Sequence, residues 1–316
     1  MVIRGGHERT GWRKVLTLAF FAAVVLTNSS CANPAGGIDY ASHRKEIEQW
    51  REKRAAELTS DDSWLTLVGL FWLKDGENKF GSDASNGIVL PQGKAPRFAG
   101  SVWREPGGNV RLQPHPEGEI THNNERVASA LALQSDANGE RPTVFNIGTL
   151  SFNLIKRGQE VGLRVKDRDN PARANFAGLQ NYPIDAAWRI EARFEPYSPP
   201  RSIPIVNVLG MVEDQTSPGA IVFEAEGKTH RLDALAQTGA RELFIIFADG
   251  TSGRETYGAG RYLYTDAPNA EGRIVVDFNK AHNPPCAFTD YATCPLPPRQ
   301  NRLSFRVAAG EMAYKH

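Results

Sequence analysis

The chain has 316 residues, of which 41% are hydrophobic and 23% charged, and its formal net charge at pH 7 is +1. This composition is that of a folded globular protein and excludes disorder over most of the length. Because acids and bases nearly balance and no long basic run occurs, a nucleic-acid partner is not expected.

The first 31 residues have the layout of a secretory signal peptide. The apolar run "VLTLAFFAAVVL", residues 15–26, is short for a bilayer span and follows a basic segment with Arg4, Arg9, Arg13 and Lys14. An uncleaved membrane anchor is the alternative. The pattern predicts an exported, periplasmic protein.

The end of this segment offers two processing sites. Ser29 and Ser30 directly precede Cys31, which resembles the cleavage box of bacterial lipoproteins, although Asn28 occupies the usual leucine position. Cleavage after Ala32 is the alternative. We predict lipidation of Cys31, and hence a lipid anchor in the bacterial membrane as the only contact with a membrane.

Residues 32–62 are predicted to form a tether and one helix. The helix runs from about Ala41 to Leu58, with Ser42 as its start signal and a narrow apolar stripe that includes Ile47 and Trp50. Such a stripe indicates a helix that lies on a larger body.

The chain from Trp64 onward is predicted to be mainly β. Short apolar or alternating runs are separated by glycine, proline, asparagine and aspartate at the spacing of antiparallel sheets, and helical periodicity is nearly absent. We predict an antiparallel sandwich or barrel with two β-rich subdomains, residues 63–135 and 140–316. The boundary is placed in "QSDANGERP", where polar residues and turn formers concentrate.

Two stretches carry a family resemblance. "SWLTLVGLFWLKDGENKFGSDASNGIVLP" and "GTSGRETYGAGRYLY", the latter followed by "VVDFNKAHNPPCAFTDYATCPLPPRQNRL", resemble the bacterial family called domain of unknown function 1684 (DUF1684). The middle segment "RGQEVGLRVKDRDNPARANF" fits the same family, so the resemblance extends from about Ser63 to Glu311. It implies membership but no activity, cofactor or catalytic residue.

A second resemblance concerns the first β subdomain. "GENKFGSDASNGIVLPQGKAPRFAGSVW" and "NVRLQPHPEGEITHNNERV" are similar to the opening of a forkhead-associated domain, a β-sandwich that binds phosphothreonine. Ser82 stands where that family uses arginine to hold phosphate. The resemblance therefore implies sandwich geometry without that ligand.

The proline-rich segment "NPPCAFTDYATCPLPP" contains Cys286 and Cys294. In an exported protein that loses or lipidates Cys31, these two cysteines form an even pair in an oxidising compartment, so a disulfide is predicted. Buried or free thiols, a reactive thiol and a metal clip with His282 and Asp290 remain open. The spacing excludes a C-x-x-C redox motif and is unusual for zinc, and no metal or cofactor is expected.

Two polar clusters near the C-terminus are candidate ligand-binding segments. "DGTSGRETYGAGRYL" and "DFNKAHNPP" contribute the seven candidate residues Glu255, Tyr257, Arg261, Asp277, Asn279, His282 and Asn283. In the functional interpretation Arg261 holds an anionic group at a pocket rim. In the structural interpretation Arg261 pairs with Glu255 or Asp277, and the asparagines build turns.

Three functions follow from these patterns. An envelope protein with a small-ligand binding or accessory role is preferred, with a small anionic molecule as the partner. An envelope hydrolase-like enzyme would use Glu255, His282 or Asp277 as acid or base, but no nucleophile paired with a base is recognisable. A structural interaction protein is the third alternative.

Overall fold

The computed structural model describes residues 39–236 and 241–315. The predicted signal peptide and the lipidation site Cys31 lie outside these residues. Among the helices of the described ranges, none combines the length and apolar character that a bilayer span requires.

The predicted N-terminal helix is confirmed as α1, Tyr40–Leu58. Its cap is Asp39 rather than Ser42, because Asp39 Oδ1 accepts a hydrogen bond from the Ala41 amide at 3.1 Å. The Ser42 hydroxyl instead donates to Asp39 Oδ2 at 2.5 Å. A short second helix, α2, spans Pro171–Ala174.

The rest of the described chain is mainly β, as predicted, and almost all strand pairs are antiparallel. Its strands, in chain order from β1 to β17, are Leu67–Trp72, Gly76–Gly81, Ile88–Val89, Gly100–Arg104, Val110–Pro114, Thr121–His122, Glu125–Arg126, Leu131–Leu133, Val144–Ile147, Leu150–Arg157, Glu160–Asp167, Arg189–Val206, Val212–Ala225, Lys228–Ala234, Glu242–Phe247, Arg261–Asp266 and Arg273–Asp277.

The first β body is a two-sheet sandwich. One sheet has the order β1-β11-β10-β9-β6-β7 and the other β3-β2-β4-β5-β8. Phe80, Phe145 and Phe152 are fully buried between them, and the rings of Phe145 and Phe152 stack with centroids 4.7 Å apart. Alternate residues of each strand face this core, as a half-buried sheet requires.

The second β body is built on a long hairpin. Strands β12 and β13 have 18 and 14 residues and lie in a four-stranded sheet with the order β14-β13-β12-β17. Strands β15 and β16 form a separate pair, which an antiparallel bridge between Leu235 and Phe244 joins to the end of β14. Phe247 and Phe278 lie in the core of this body.

The predicted subdomain boundary at residues 135–140 falls inside the first sandwich. Strands β9, β10 and β11 follow that segment but share a sheet with β1 and β6. The polar segment is a connection within the sandwich, since Ser135 bridges Leu154 and the Gln134 amide donates to Thr143 Oγ1 at 3.0 Å. Polarity alone could not distinguish such a connection from a linker. The described chain from Asp39 onward forms one compact unit.

The proline-rich segment lies between the two β bodies and extends the second. Its start is fixed to β16 by reciprocal backbone hydrogen bonds of 2.9 Å between Tyr262 and His282, and its end by the bridge from Asn207 to Pro295. The Arg157 side chain of the first body reaches it through a 2.9 Å hydrogen bond to Thr293 Oγ1. These contacts fix the proline-rich segment as one wall of a cavity between α1 and the two β bodies.

Candidate functional site

A cavity of about 490 Å³ lies where α1, the first sandwich, strands β15 and β16 and the proline-rich segment meet. This volume is in the range of small-molecule sites. The lining residues are Trp50, Lys53, Arg54, Glu57, Trp64, Arg157, Arg164, Phe244, Tyr262, Tyr264, His282, Asn283, Pro285, Ala292, Thr293, Cys294 and Pro295.

Aromatic rings form one side of the cavity. Phe244 stacks on Tyr264 with centroids 4.8 Å apart, and Tyr264 stacks on His282 at 5.9 Å. The Trp50 ring, which belongs to α1, lies with its centroid 5.8 Å from that of the same His282 ring. A set of rings fixed by one another presents a rigid apolar surface, which suits a flat ligand.

Four basic side chains line the cavity, and three of them have a carboxylate partner. Arg54 Nε contacts Glu311 at 3.1 Å, Arg157 donates twice to Asp136 at 3.0 Å, and Lys53 lies 3.9 Å from Glu57 on the surface of α1. The Glu311 carboxyl is fully buried, and this burial raises its pKa although Arg54 opposes the shift.

Arg164 is the one of these four basic side chains that has no carboxylate partner among the described residues. It is 7% exposed, its Nε is enclosed without a partner, and no described residue accepts a hydrogen bond from its guanidinium. The Trp64 ring lies against it, with its centroid 5.2 Å from Cζ, and the charges of Arg157 and Asp136 also act on it. Burial lowers the pKa of Arg164 to about 10, so the side chain remains a cation at neutral pH.

The alternation of β11 places Arg164 in the cavity. Val161, Leu163 and Val165 of that strand point into the sandwich core, and the period of two turns Arg164 to the opposite face. That face is covered by the rest of the chain instead of solvent, which is why a charged residue in a strand became buried.

His282 contributes a hydrogen-bond acceptor. Its Nδ1 lies 3.1 Å from the Lys280 carbonyl oxygen, so Nδ1 carries the proton and Nε2 has a free lone pair. Burial, reinforced by the nearby Arg54 charge, lowers the pKa of His282 to about 3. The imidazole is therefore neutral at physiological pH.

Of the seven candidate residues from the sequence, the structure brings only His282 and Asn283 to the cavity. Arg261 is fully buried elsewhere, where its Nη2 contacts Asp249 at 2.7 Å and donates to the Val307 carbonyl at 2.9 Å, and its Nη1 donates to the Ala309 carbonyl. Both terminal nitrogens are committed to these acceptors and the residue is closed to solvent, so a ligand-holding role for Arg261 has no support in this arrangement. The structural interpretation anticipated an ion pair but with Glu255 or Asp277.

The other four candidates make internal contacts. Glu255 pairs with Arg306 at 2.7 Å and accepts the Tyr182 hydroxyl at 2.9 Å, and the Tyr257 hydroxyl donates to the Cys286 carbonyl at 2.8 Å. Burial raises the pKa of Tyr257, so this phenol stays protonated.

Asp277 and Asn279 hold α1 and a turn in place. Asp277 Oδ2 lies 2.6 Å from His43 Nε2 of α1, and Asp277 Oδ1 accepts the Asn279 amide at 3.0 Å. The Asn279 side chain in turn bonds both backbone groups of Asp185, at 3.0 and 2.8 Å. These two residues thus connect α1, the end of β17 and the turn at Asp185.

The predicted disulfide is not formed in the structure, where Cys286 and Cys294 are free thiols. The two residues are nevertheless adjacent, since the Cys286 amide lies 3.0 Å from Cys294 Sγ. The hydrogen bond between the two thiol side chains lowers the pKa of Cys286. The same side-chain hydrogen bond, together with burial, raises the pKa of Cys294. Across the described ranges, no three His, Cys, Asp or Glu residues are grouped to hold a metal ion.

Sequence reasoning missed the residues that define the cavity. Trp50, Trp64 and Arg164 lie far from the C-terminal clusters in sequence and meet His282 only through tertiary packing. One signal was available in the sequence. Arg164 stands between apolar residues in "VGLRVKD", and such an apolar strand is unusual on a face exposed to solvent. The depth of its burial was not readable, because the sequence does not show what covers that face.

The comparisons with known proteins agree with the resemblance seen in the sequence. The model of the family described as "Protein of unknown function (DUF1684)" matches residues 174–312. The chain belongs to the DUF1684 family. The match covers β12 to β17 and the proline-rich segment, whereas Trp50, Trp64 and Arg164 lie outside it. No curated protein matches the chain.

Two solved structures are similar to parts of this DUF1684 protein. An uncharacterized protein of Haloarcula marismortui, solved by solution NMR, shares 32% identity over 44% of this chain and 78% of its own, with a TM-score of 0.38. Mycobacterium tuberculosis EmbR, in complex with a low-affinity phosphopeptide, shares 13% identity over 42% of this chain and 32% of its own, with a TM-score of 0.20.

Proposed function

We propose that this DUF1684 protein is an exported, lipid-anchored envelope protein that binds a small anionic molecule in the cavity between its two β bodies. The observation that carries the binding proposal is Arg164, a cation that is 7% exposed, lines the cavity and has no carboxylate partner among the described residues.

A buried charge without a partner is costly, because the guanidinium loses hydration and gains no ion pair in return. A bound anion would supply the missing acceptor. Because Arg164 is only 7% exposed, the resulting charge-assisted hydrogen bonds would be stronger than at the protein surface. The cost that Arg164 imposes on the unliganded protein is then recovered when the ligand binds.

The side-chain contacts favour binding over hydrolysis. Of the three residues that a hydrolase-like reaction was predicted to use, Glu255 and Asp277 are committed to Arg306 and His43, and neither lines the cavity. His282 alone is present there, and a single neutral imidazole without a paired nucleophile does not constitute an acid-base site.

A thermal-shift screen of small organic anions against the purified protein tests the binding proposal. We expect at least one anion to raise the melting temperature of the wild type and to lose most of that effect in Arg164→Met. The matched control is Arg201→Met, since Arg201 also stacks on an aromatic ring, Tyr197 at 3.8 Å, but does not line the cavity. An equal ligand-induced shift in wild type and Arg164→Met would contradict the proposal.

Export and anchoring rest on the N-terminal residues 1–31 and are tested separately. Metabolic labelling with a palmitate analogue should mark the wild type and leave Cys31→Ser unlabelled. An unlabelled wild-type protein would rule out the lipid anchor without affecting the cavity.

We also propose that the Cys286 and Cys294 thiols form a disulfide after export by exchange with a disulfide-carrying oxidant of the envelope, which takes up the two electrons and two protons. Their adjacency in the structure supports this proposal, since the Cys286 amide lies 3.0 Å from Cys294 Sγ, and the bond would staple a wall of the cavity. Mass spectrometry of exported protein alkylated without reductant is the test. Two alkylated thiols would rule the staple out.

A further inference from the structure

We propose that the cavity selects one class of anion, a monocarboxylate carried on a flat ring. This inference rests on the proposed binding function and specifies its ligand. Charge count, the shape of the aromatic wall and the environment of Arg164 support it independently.

The charge count favours a single negative charge. Among the basic side chains of the cavity, Arg54 is paired with Glu311, Arg157 with Asp136 and Lys53 with Glu57, which leaves only Arg164 uncompensated. A monoanion would neutralise that charge. A phosphate monoester carries close to two charges at neutral pH, and its second charge would have to break an existing ion pair or remain unpaired.

The immediate surroundings of Arg164 favour a planar acceptor. The Trp64 ring lies 5.2 Å from Cζ, so one side of the guanidinium is occupied, and Nε is enclosed. The remaining donors are on the terminal nitrogens, which lie in one plane. Two parallel N–H groups in a plane match the two oxygens of a carboxylate.

The aromatic side of the cavity favours a flat ring. Phe244, Tyr264 and His282 stack in sequence, with ring planes 19° and 14° apart, so their faces are nearly parallel. The Tyr262 hydroxyl is already used, because it donates to the Pro295 carbonyl at 3.1 Å. The stack offers a ligand apolar ring edges and outer faces, with the Tyr264 hydroxyl and the His282 Nε2 as its two polar atoms, and therefore suits an aromatic ligand better than a sugar.

The test is isothermal titration calorimetry of the wild-type protein with four matched probes. 3-Phenylpropanoate carries both features, 3-phenylpropanamide removes the charge, hexanoate removes the ring, and 2-phenylethyl phosphate replaces the monoanion by a dianion. We expect 3-phenylpropanoate to bind about tenfold or more tightly than its amide, the size of one charge-assisted interaction. A similar preference is expected over hexanoate, which loses the ring contacts, and over the phosphate, whose second charge lacks a partner.

The variants then assign the preference to Arg164. In Arg164→Met the advantage of 3-phenylpropanoate over its amide should disappear, and in Arg164→Lys part of it should return because the charge is kept without the planar donor pair. Arg201→Met should bind all four probes as the wild type does.

The possible results separate this inference from the proposed function. Tighter binding of the phosphate, or equal binding of hexanoate, would overturn the ligand class while an anion-binding cavity remained. Equal binding of the acid and its amide by wild-type protein would overturn the role of charge altogether. Failure of all four probes, in a protein for which the anion screen also finds no ligand, would overturn both. The wild-type comparison decides these cases even if a variant fails to fold.

Discussion

Two buried arginines, one in each β body, occupy opposite situations. Arg261 is 0% exposed and lies among Asp249 and the carbonyl oxygens of Val307 and Ala309. Arg164 is 7% exposed and has no acceptor in the described chain, with Trp64 as its neighbour. The residue type and the depth of burial are similar, and in both residues Nε lacks a partner, so the difference lies in the acceptors of the terminal nitrogens.

The difference shows how a structural arginine is distinguished from one available to a ligand. In the second body the chain supplies acceptors for both terminal nitrogens of the guanidinium, although Nε is enclosed without a partner, so Arg261 fixes the C-terminal segment to β16. In the cavity the described chain supplies no acceptor to the guanidinium, and the proposed anion would supply one. Burial alone would rank Arg261 as the more unusual residue, although its terminal nitrogens already have acceptors within the chain.

The largest expected effect comes from Arg261→Met. This change strands the buried Asp249 carboxylate, so we expect the free energy of unfolding to fall by about 3 to 5 kcal/mol in urea denaturation. The double variant Arg261→Met/Asp249→Asn should recover part of that loss. A loss below about 1 kcal/mol would mean that the network around Arg261 is not the structural clamp described here.

The next effect concerns pH and the cavity. Because the pKa of His282 in the folded protein is about 3, below its ordinary value of about 6.5, the unfolded chain takes up a proton that the folded chain refuses. Stability therefore falls as pH drops through 6.5 toward 3, by about 1.4 kcal/mol per pH unit at most. In His282→Gln, the difference in unfolding free energy between pH 7 and pH 5 should shrink by about 2 kcal/mol. Identical pH dependence in variant and wild type would contradict the buried neutral imidazole.

The smallest effect is the most diagnostic. Arg164→Met removes an uncompensated buried charge and keeps most of the apolar stem, so the unliganded protein should gain about 1 kcal/mol in unfolding free energy. Differential scanning calorimetry without ligand measures it. A destabilisation comparable to that of Arg261→Met would place Arg164 in the structural category and remove the contrast between the two residues.

The fold was largely predictable because its signals are local. Short alternating strands between glycine and proline turns indicate antiparallel β structure wherever they occur, and the apolar stripe with Ile47 and Leu58 indicated α1. The boundary between the β bodies was placed wrongly, since strand order is not local: β11 pairs with β1 across about a hundred residues of sequence. A polar connection such as Gln134–Pro142 looks the same inside a sandwich as between two domains.

The site was predictable only in part, for the same reason. His282 and Asn283 follow a strand and precede rigid prolines, a layout that favoured a site, and both line the cavity. Glu255 and Arg261 offered equally suggestive chemistry, but their partners Arg306 and Asp249 lie 51 and 12 residues away in sequence and satisfy them internally. Arg164 could be found only by asking which buried cation lacks an acceptor.

The cavity is lined by residues from two parts of the chain, one inside the family match and one outside it. The stretch common to the family model, residues 174–312, contributes the ring stack and the proline-rich wall, whereas α1 and the first sandwich contribute Trp50, Trp64 and the unsatisfied guanidinium. A protein that shares only the common stretch has only the part of the cavity lining that this stretch contributes. The ligand proposed for such a protein would depend on the side chains that the rest of its own chain places opposite that wall. Relatives with the same C-terminal half would then differ in ligand specificity.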